Sequence, residues 1–251
     1  MRNFRIGSCA VVAGLFVVVS AQYAQAQAQT RESPWVIDVA FGIDVSVNGN
    51  VNSGAIGRLQ GVATAILPQP YGTVYGPGLD FRFGAGWAMS DMTEIRGIFT
   101  YQSADADLVR LGDFGPSSLY AQYSDYKAIG LDVGARRYFP FARRDIRAFA
   151  EATIGIAAID RINVQFAAPQ TNSVFTSTDF FDGTSAFTWG INTGVVLHVA
   201  DQIDVTGQLG LRHVGGLAQV DQFVGTGLEE INNDSARLTF PIVIGLRFRF
   251  K

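Results

Sequence analysis

Leu238-Thr239-Phe240-Pro241-Ile242-Val243-Ile244-Gly245-Leu246-Arg247-Phe248-Arg249-Phe250 places seven large apolar side chains at every second position and sets Thr239, Gly245, Arg247 and Arg249 between them. Such alternation marks a strand whose two faces meet different surroundings. Working backwards from this stretch, the same period recurs seven more times. Those runs are Trp35 to Ile43, Leu79 to Trp87, Glu94 to Tyr101, Ile129 to Arg136, Ala148 to Ile156, Phe187 to Leu197 and Ile203 to Arg212. Eight strands are expected.

The connections alternate in length. Residues 45–73, 103–124, 160–184 and 215–234 are long, whereas 88–92, 139–145 and 200–202 are short. An even strand number with short turns at one end and long loops at the other is the plan of a transmembrane β-barrel. Each strand needs only ~9–11 tilted residues to cross the hydrocarbon. Closure follows because an open edge would leave unpaired backbone groups in lipid. The expected architecture is therefore all-β, an eight-stranded antiparallel transmembrane barrel with four long loops and three short turns.

Composition of the second face decides which side is out. Gly42, Gly84, Gly86, Gly130, Gly134, Gly155, Gly190, Gly194, Gly210 and Gly245 all fall on it. Glycine weakens a strand and gains nothing on a water-facing surface, but a narrow lumen needs small residues beside large ones. The same face carries Asp38, Asp80, Glu94, Asp132 and Glu151, together with Arg82, Arg96, Arg136, Arg212 and Arg247. Five of each sign is what an enclosed lumen requires, since an unpaired buried charge is expensive. Arginine suits such pairing through its planar fork. The apolar face is thus assigned to lipid. Aromatics near strand ends are read as two interfacial girdles: Trp35, Trp87, Tyr138 and Phe139 at the short-turn end, and Tyr101, Tyr126, Phe187 and Trp189 towards the long loops.

On the segment Leu131-Asp132-Val133-Gly134-Ala135-Arg136-Arg137-Tyr138-Phe139 and the closing Ile244-Gly245-Leu246-Arg247-Phe248-Arg249-Phe250, the chain resembles the small outer-membrane β-barrel families of Gram-negative bacteria. These include the membrane domain of outer-membrane protein A and the opacity-type proteins. The resemblance covers most of residues 34–251. It implies contact with outer-membrane lipid and lipopolysaccharide, and insertion by the barrel-assembly machinery with Phe248 and Phe250 as the assembly signal. Those families end on an aromatic, whereas here Phe250 is followed by Lys251.

Residues 1–28 read as a cleaved secretory signal. Arg2 and Arg5 precede the apolar run Ala10 to Val19, and Ala24-Gln25-Ala26 and Ala26-Gln27-Ala28 both offer small residues for cleavage. Residues 29–251 then form a single barrel domain. The lone cysteine, Cys9, falls within the leader, so no disulfide is expected beyond it. Loss of Arg2 and Arg5 leaves 17 basic against 22 acidic residues. An acidic chain with pI near 5.3 is unsuited to nucleic acid.

Catalytic groups are sparse. His198 lies beside a short turn, and His213 ends a strand next to a long loop with Asp221 downstream. A lipid A deacylase would want a serine beside such a histidine, and none occurs in the twenty residues after His213. No cofactor or metal site is expected, and a monomer is. Asp105, Asp107, Asp113, Asp160, Asp179, Asp182, Asp221, Glu229, Glu230 and Asp234 face only Arg110 and Arg161 in loops two to four. They could bridge lipopolysaccharide phosphates through a divalent ion or simply be solvated. In loop one, Ile56, Leu59, Ala63 and Ile66 have helical spacing, which predicts a short amphipathic helix. The leading expectation is a non-enzymatic outer-membrane barrel serving envelope integrity or surface interaction. A narrow passive channel, a lipid A-modifying enzyme and a soluble exported β protein stay as alternatives.

Overall fold

The structure is a computed structural model that describes residues 34–140, 145–233 and 235–250; the expected leader lies outside them. Eight long strands form the frame: β1 (Trp35–Asn48), β2 (Gly78–Ser90), β3 (Thr93–Ala104), β4 (Tyr126–Pro140), β5 (Ile146–Ile159), β6 (Thr184–Ala200), β7 (Ile203–Val214) and β8 (Arg237–Arg249). Each pairs antiparallel with the next, and β1 pairs with β8, so the sheet is a closed barrel. Pairing places Asp38 opposite Gly84 on one side and Arg247 on the other.

The faces sort by parity. Leu131 and Val133 are 61% and 60% exposed, while Asp132 between them is 7% exposed. The outside is apolar and the inside is charged, the inverse of a water-soluble barrel. A lumen closed by eight strands leaves little room. At Gly155 a Cβ would lie 2.2 Å from the Leu131 carbonyl oxygen and 2.4 Å from Asp132 Oδ1. Only a residue without a side chain fits there.

The short connections between barrel strands are 91–92, 141–145 and 201–202; the long ones are 49–77, 105–125, 160–183 and 215–236. The long ones are not irregular. They build a second antiparallel sheet in the order Ala218–Gln219, Thr178–Asp182, Ile162–Ala168, Ser117–Tyr123, Leu108–Phe114, Val62–Ile66 and Ala55–Leu59, with Ser173–Val174 paired to Ile162–Ala168. Loop four then returns to loop one. Arg58 N donates to the Thr226 carbonyl at 2.7 Å, and Ser53 N donates to the Ile231 carbonyl at 2.9 Å. The result is a cap seated on the long-loop end of the barrel.

In this cap the sidedness is reversed. Val109, Leu111, Phe114, Leu119, Ala121, Tyr123, Ile162, Val164 and Phe166 are buried and alternate with more exposed neighbours such as Arg110, Gln122 and Gln165. They belong to one apolar core that also holds Tyr71, Tyr75, Phe175, Phe180, Phe181, Phe223, Leu228 and Ile231. The surroundings account for the reversal. Where the outer face meets hydrocarbon, the apolar side turns out; where it meets water, hydrophobic burial turns the same side in.

The helix expected from Ile56, Leu59, Ala63 and Ile66 is absent. Ala55–Leu59 pairs with Val62–Ile66 as a hairpin across Gln60 and Gly61, whose φ angles are 50° and 82°. Two consecutive left-handed residues favour a tight hairpin turn. The β-branched Ile56, Val62, Thr64 and Ile66 suit the flanking strands.

The seam between loops one and four depends on glycine. A Cβ at Gly57 would sit 2.3 Å from the Thr226 carbonyl oxygen and 2.7 Å from the Gly227 carbonyl carbon. Gly57→Val is expected to open the seam at a cost of about 1–3 kcal/mol. Limited proteolysis should then cut loop four in the variant, with the barrel band unchanged on a gel.

Candidate functional site

The interior of the molecule is the most chemically organised part of it. At the short-turn half of the lumen, Arg96 Nη1 donates to Glu151 Oε2 at 2.6 Å and Nη2 donates to Asp38 Oδ2 at 2.8 Å. Arg136 Nε donates to the same Glu151 oxygen at 2.9 Å, and its guanidinium lies 3.8 Å above the Phe149 ring. Glu94 is held by Arg247, by the Tyr138 hydroxyl at 3.0 Å and by Arg96 Nε at 3.4 Å. Towards the middle, Arg82 grips Asp80 at 2.7 Å. Arg212 meets Asp132 at 3.1 Å, and Thr188 donates to that carboxylate at 2.6 Å. All ten charged residues expected in the lumen point into it.

The network is larger than ten residues. Asp44, Asp204 and Arg237 are also buried and charged. Gln102 donates to Asp44 at 2.8 Å, and Arg237 lies 3.5 Å from the same carboxylate. Asp204 accepts from or pairs with His198 Nδ1 at 2.9 Å and Arg249 Nε at 3.3 Å at the short-turn rim. Parity was the signal that finds them. Asp44 lies six residues beyond Asp38, Arg237 ten before Arg247, and Asp204 eight before Arg212, all even separations.

Parity also corrects the girdles. Trp35, Trp87 and Trp189 are outward at 56%, 46% and 38% exposure, and Tyr101 is half-buried on the same lipid side of its strand. Tyr126 and Tyr138 are buried and inward, so they belong to no girdle. Both share the even parity of Asp132 and Arg136 on β4. Tyr138 bonds Glu94, and the Tyr126 ring lies 4.4 Å beneath the Arg237 guanidinium. Phe248 and Phe250 are partly exposed on the outer face, at 37% and 48%.

The lumen cavity bounded by Arg82, Thr100, Asp132, Asn192 and Arg212 has about 10 Å³ open to a water molecule, room for roughly one water. Above it the cap core takes over. Phe180 packs edge-on against Tyr123, Phe181 and Phe223, with centroids 5.4, 5.0 and 6.0 Å away. Tyr123 accepts a hydrogen bond from Asn52 at 3.0 Å, and burial pushes its hydroxyl well above the usual tyrosine range, so it stays neutral.

The two histidines have different surroundings. His213 is stacked on Trp189, with centroids 5.5 Å apart and planes inclined by 12°. His198 Nδ1 is crowded by Arg249 Nη2 at 2.6 Å as well as by Asp204. The loop acids partly neutralise themselves: Arg110 pairs with Asp113 at 2.8 Å, and Arg161 lies 3.1 Å from both Asp179 and Asp182. Among the described residues, no group of three or more histidine, cysteine or carboxylate side chains is placed to hold a metal ion. Asp234 lies outside the described residues.

No family model and no curated protein matches the chain. Among solved structures it is similar to Neisserial surface protein A, with 13% identity and TM-score 0.45 over 87% of this chain and 98% of that one. It is similar to the N-terminal β-barrel domain of Pseudomonas aeruginosa OprF, with 12% identity and TM-score 0.36 over 86% and 98%. A third is the outer-membrane protease OmpT from Escherichia coli, with 8% identity and TM-score 0.45 over 90% and 100%. The likeness to small Gram-negative outer-membrane barrels is one of architecture, and the activity has to be argued from this chain's own residues.

Proposed function

We propose that the chain is a non-enzymatic outer-membrane barrel, exported through a cleaved leader, whose structured cap serves surface interaction and envelope integrity. It sits with the short turns in the periplasm and the cap outside, as a monomer, after insertion by the barrel-assembly machinery through the Phe248 and Phe250 strand. One observation supports this reading: the described interior is occupied by buried ion pairs in the barrel and by an apolar core in the cap. Ions would have to separate buried pairs and then cross an apolar core, and both steps oppose conduction.

The reading against catalysis rests on His213 lying stacked on Trp189 and on His198 sharing its Nδ1 with Asp204 and Arg249. The discriminating experiment is conductance in planar bilayers. Refolded protein is expected to add no current above the bare-membrane leak; steady single-channel steps would establish the passive channel instead. Lipid A extracted from cells expressing the wild type and His213→Ala should be identical, and a modification lost in the variant would make the protein an enzyme. Heat-modifiable migration on a gel should accompany the folded barrel, and its absence would favour a soluble β protein.

A further inference from the structure

Among the described residues, seven of the eight ladders between neighbouring barrel strands run unbroken between their ends. Their register shifts, at Ser46/Asn48, Ala88/Ser90 and His198/Ala200, fall at strand ends. The ladder between β7 and β8 is the exception. It pairs Leu209 with Ile242 and resumes only at Arg212 with Thr239, passing over Gly210 opposite Pro241 and Leu211 opposite Phe240.

The cause lies in the backbone. A Cβ at Gly190 of β6 would lie 3.2 Å from the Leu211 carbonyl oxygen, so that oxygen points towards β6. A Cβ at Gly42 of β1 would meet the Ile242 carbonyl oxygen, so that one points towards β1. Successive residues of a strand turn their backbone groups to opposite neighbours. Gly210 and Pro241 therefore turn theirs towards each other. Proline has no N–H, and the Gly210 carbonyl loses its ladder donor. Proline in sheets belongs on edge strands, first residues or bulges, yet Pro241 lies well inside β8, which is paired on both sides.

The two sides of this gap differ. Outside it, Leu209, Leu211 and Ile242 are exposed on the lipid-facing side, and hydrocarbon offers nothing to a bare carbonyl. Inside it, the small lumen cavity is lined by Gly190, Asn192 and Arg212, and Asn192 and Gly190 stand opposite Gly210 and Arg212. Asp44, which faces Pro241 from β1, has a buried Oδ1 with no hydrogen-bond partner. Polar groups able to serve parted strands thus lie on the lumen side. Fewer ladder bonds have to break here than along an equal length of any other seam. We propose that the β7–β8 seam at Gly210 and Pro241 is a built-in opening point of the barrel wall, where the strands part locally while the other seven ladders stay closed.

The test is hydrogen exchange at single amides, read by NMR on the full chain refolded in lipid bicelles. The Gly210, Arg212 and Thr239 amides face this seam. They are expected to exchange at least about tenfold faster than those of Ile43 and Ile242, which face each other across the intact β1–β8 seam. Pro241→Ala supplies the missing N–H and should slow the seam amides to the rate of that pair. A disulfide joining Leu209→Cys to Ile242→Cys, in a chain carrying Cys9→Ser, should slow them without supplying the donor. Seam amides no faster than Ile43 and Ile242 in the unsubstituted chain would overturn the proposal, and so would fast exchange that persists in either folded variant.

Discussion

Glu151→Ala is expected to destabilise the barrel by about 3–5 kcal/mol, the usual consequence of removing one partner from a buried ion pair. Glu151 is 2% exposed and receives three donors: Arg96 at 2.6 Å, Arg136 at 2.9 Å and Asn192 at 3.3 Å. Its loss would leave two buried guanidinium groups, Arg96 at 6% and Arg136 at 2% exposure, short of a counter-charge. Arg96 would keep Asp38 and Glu94, but Arg136 would keep no carboxylate partner among its described contacts, only uncharged ones such as Gln208 at 3.2 Å, Tyr138 and the Phe149 face. Glu151→Gln, which retains hydrogen-bonding capacity without the charge, should fall between the two. Urea titration of the folded band in lipid vesicles measures the effect. A shift of less than ~1 kcal/mol for the alanine variant would mean that water reaches the lumen freely.

Phe180→Ala should cost the cap about 3–5 kcal/mol, the range for truncating a fully buried aromatic. The side chain is 1% exposed and makes edge contacts with Tyr123, Phe181 and Phe223, drawn from loops two, three and four. A cavity there would loosen three loops together. The cap core meets the barrel at its rim, through Ala104, Tyr126, Ala128, Ala157, Ile159, Ala186 and Val214, and the ladders and ion pairs farther down the strands should hold in this variant. Protease should cut within 105–125 and 215–236 while the membrane-embedded band stays heat-modifiable. If loops and barrel are lost together, the cap is an integral part of one cooperative unit.

Much of the frame was legible in the sequence because a strand's sidedness is local. Alternation in Trp35 to Ile43 or Leu238 to Phe250 needs no distant residue to be read, and glycine and arginine on the second face declare a narrow, paired interior. Parity was the stronger rule where two signals conflicted. Tyr126 and Tyr138 lie at strand ends, where girdles belong, yet they share the parity of Asp132 and point inward. A side chain's face is fixed by counting along the strand, whereas its depth says nothing about which side it takes.

Loop one marks the opposite case. Ile56, Leu59, Ala63 and Ile66 fit a helical face as well as they fit a hairpin, and periodicity over so short a span cannot decide. The pairing of Val62–Ile66 with Leu108–Phe114 selects the hairpin, and the paired residues lie nearly fifty positions apart.

The sequence by itself determined the eight-strand barrel, the lipid-facing side and the charged interior, since each follows from alternation read against the number and kind of residues on each face. Only the tertiary structure decided that the long loops are a second β layer with an apolar core. The same alternating pattern points its apolar side outward in lipid and inward in water, so its meaning depends on which solvent surrounds that height of the molecule. That height is set by how strands distant in the chain pair with one another.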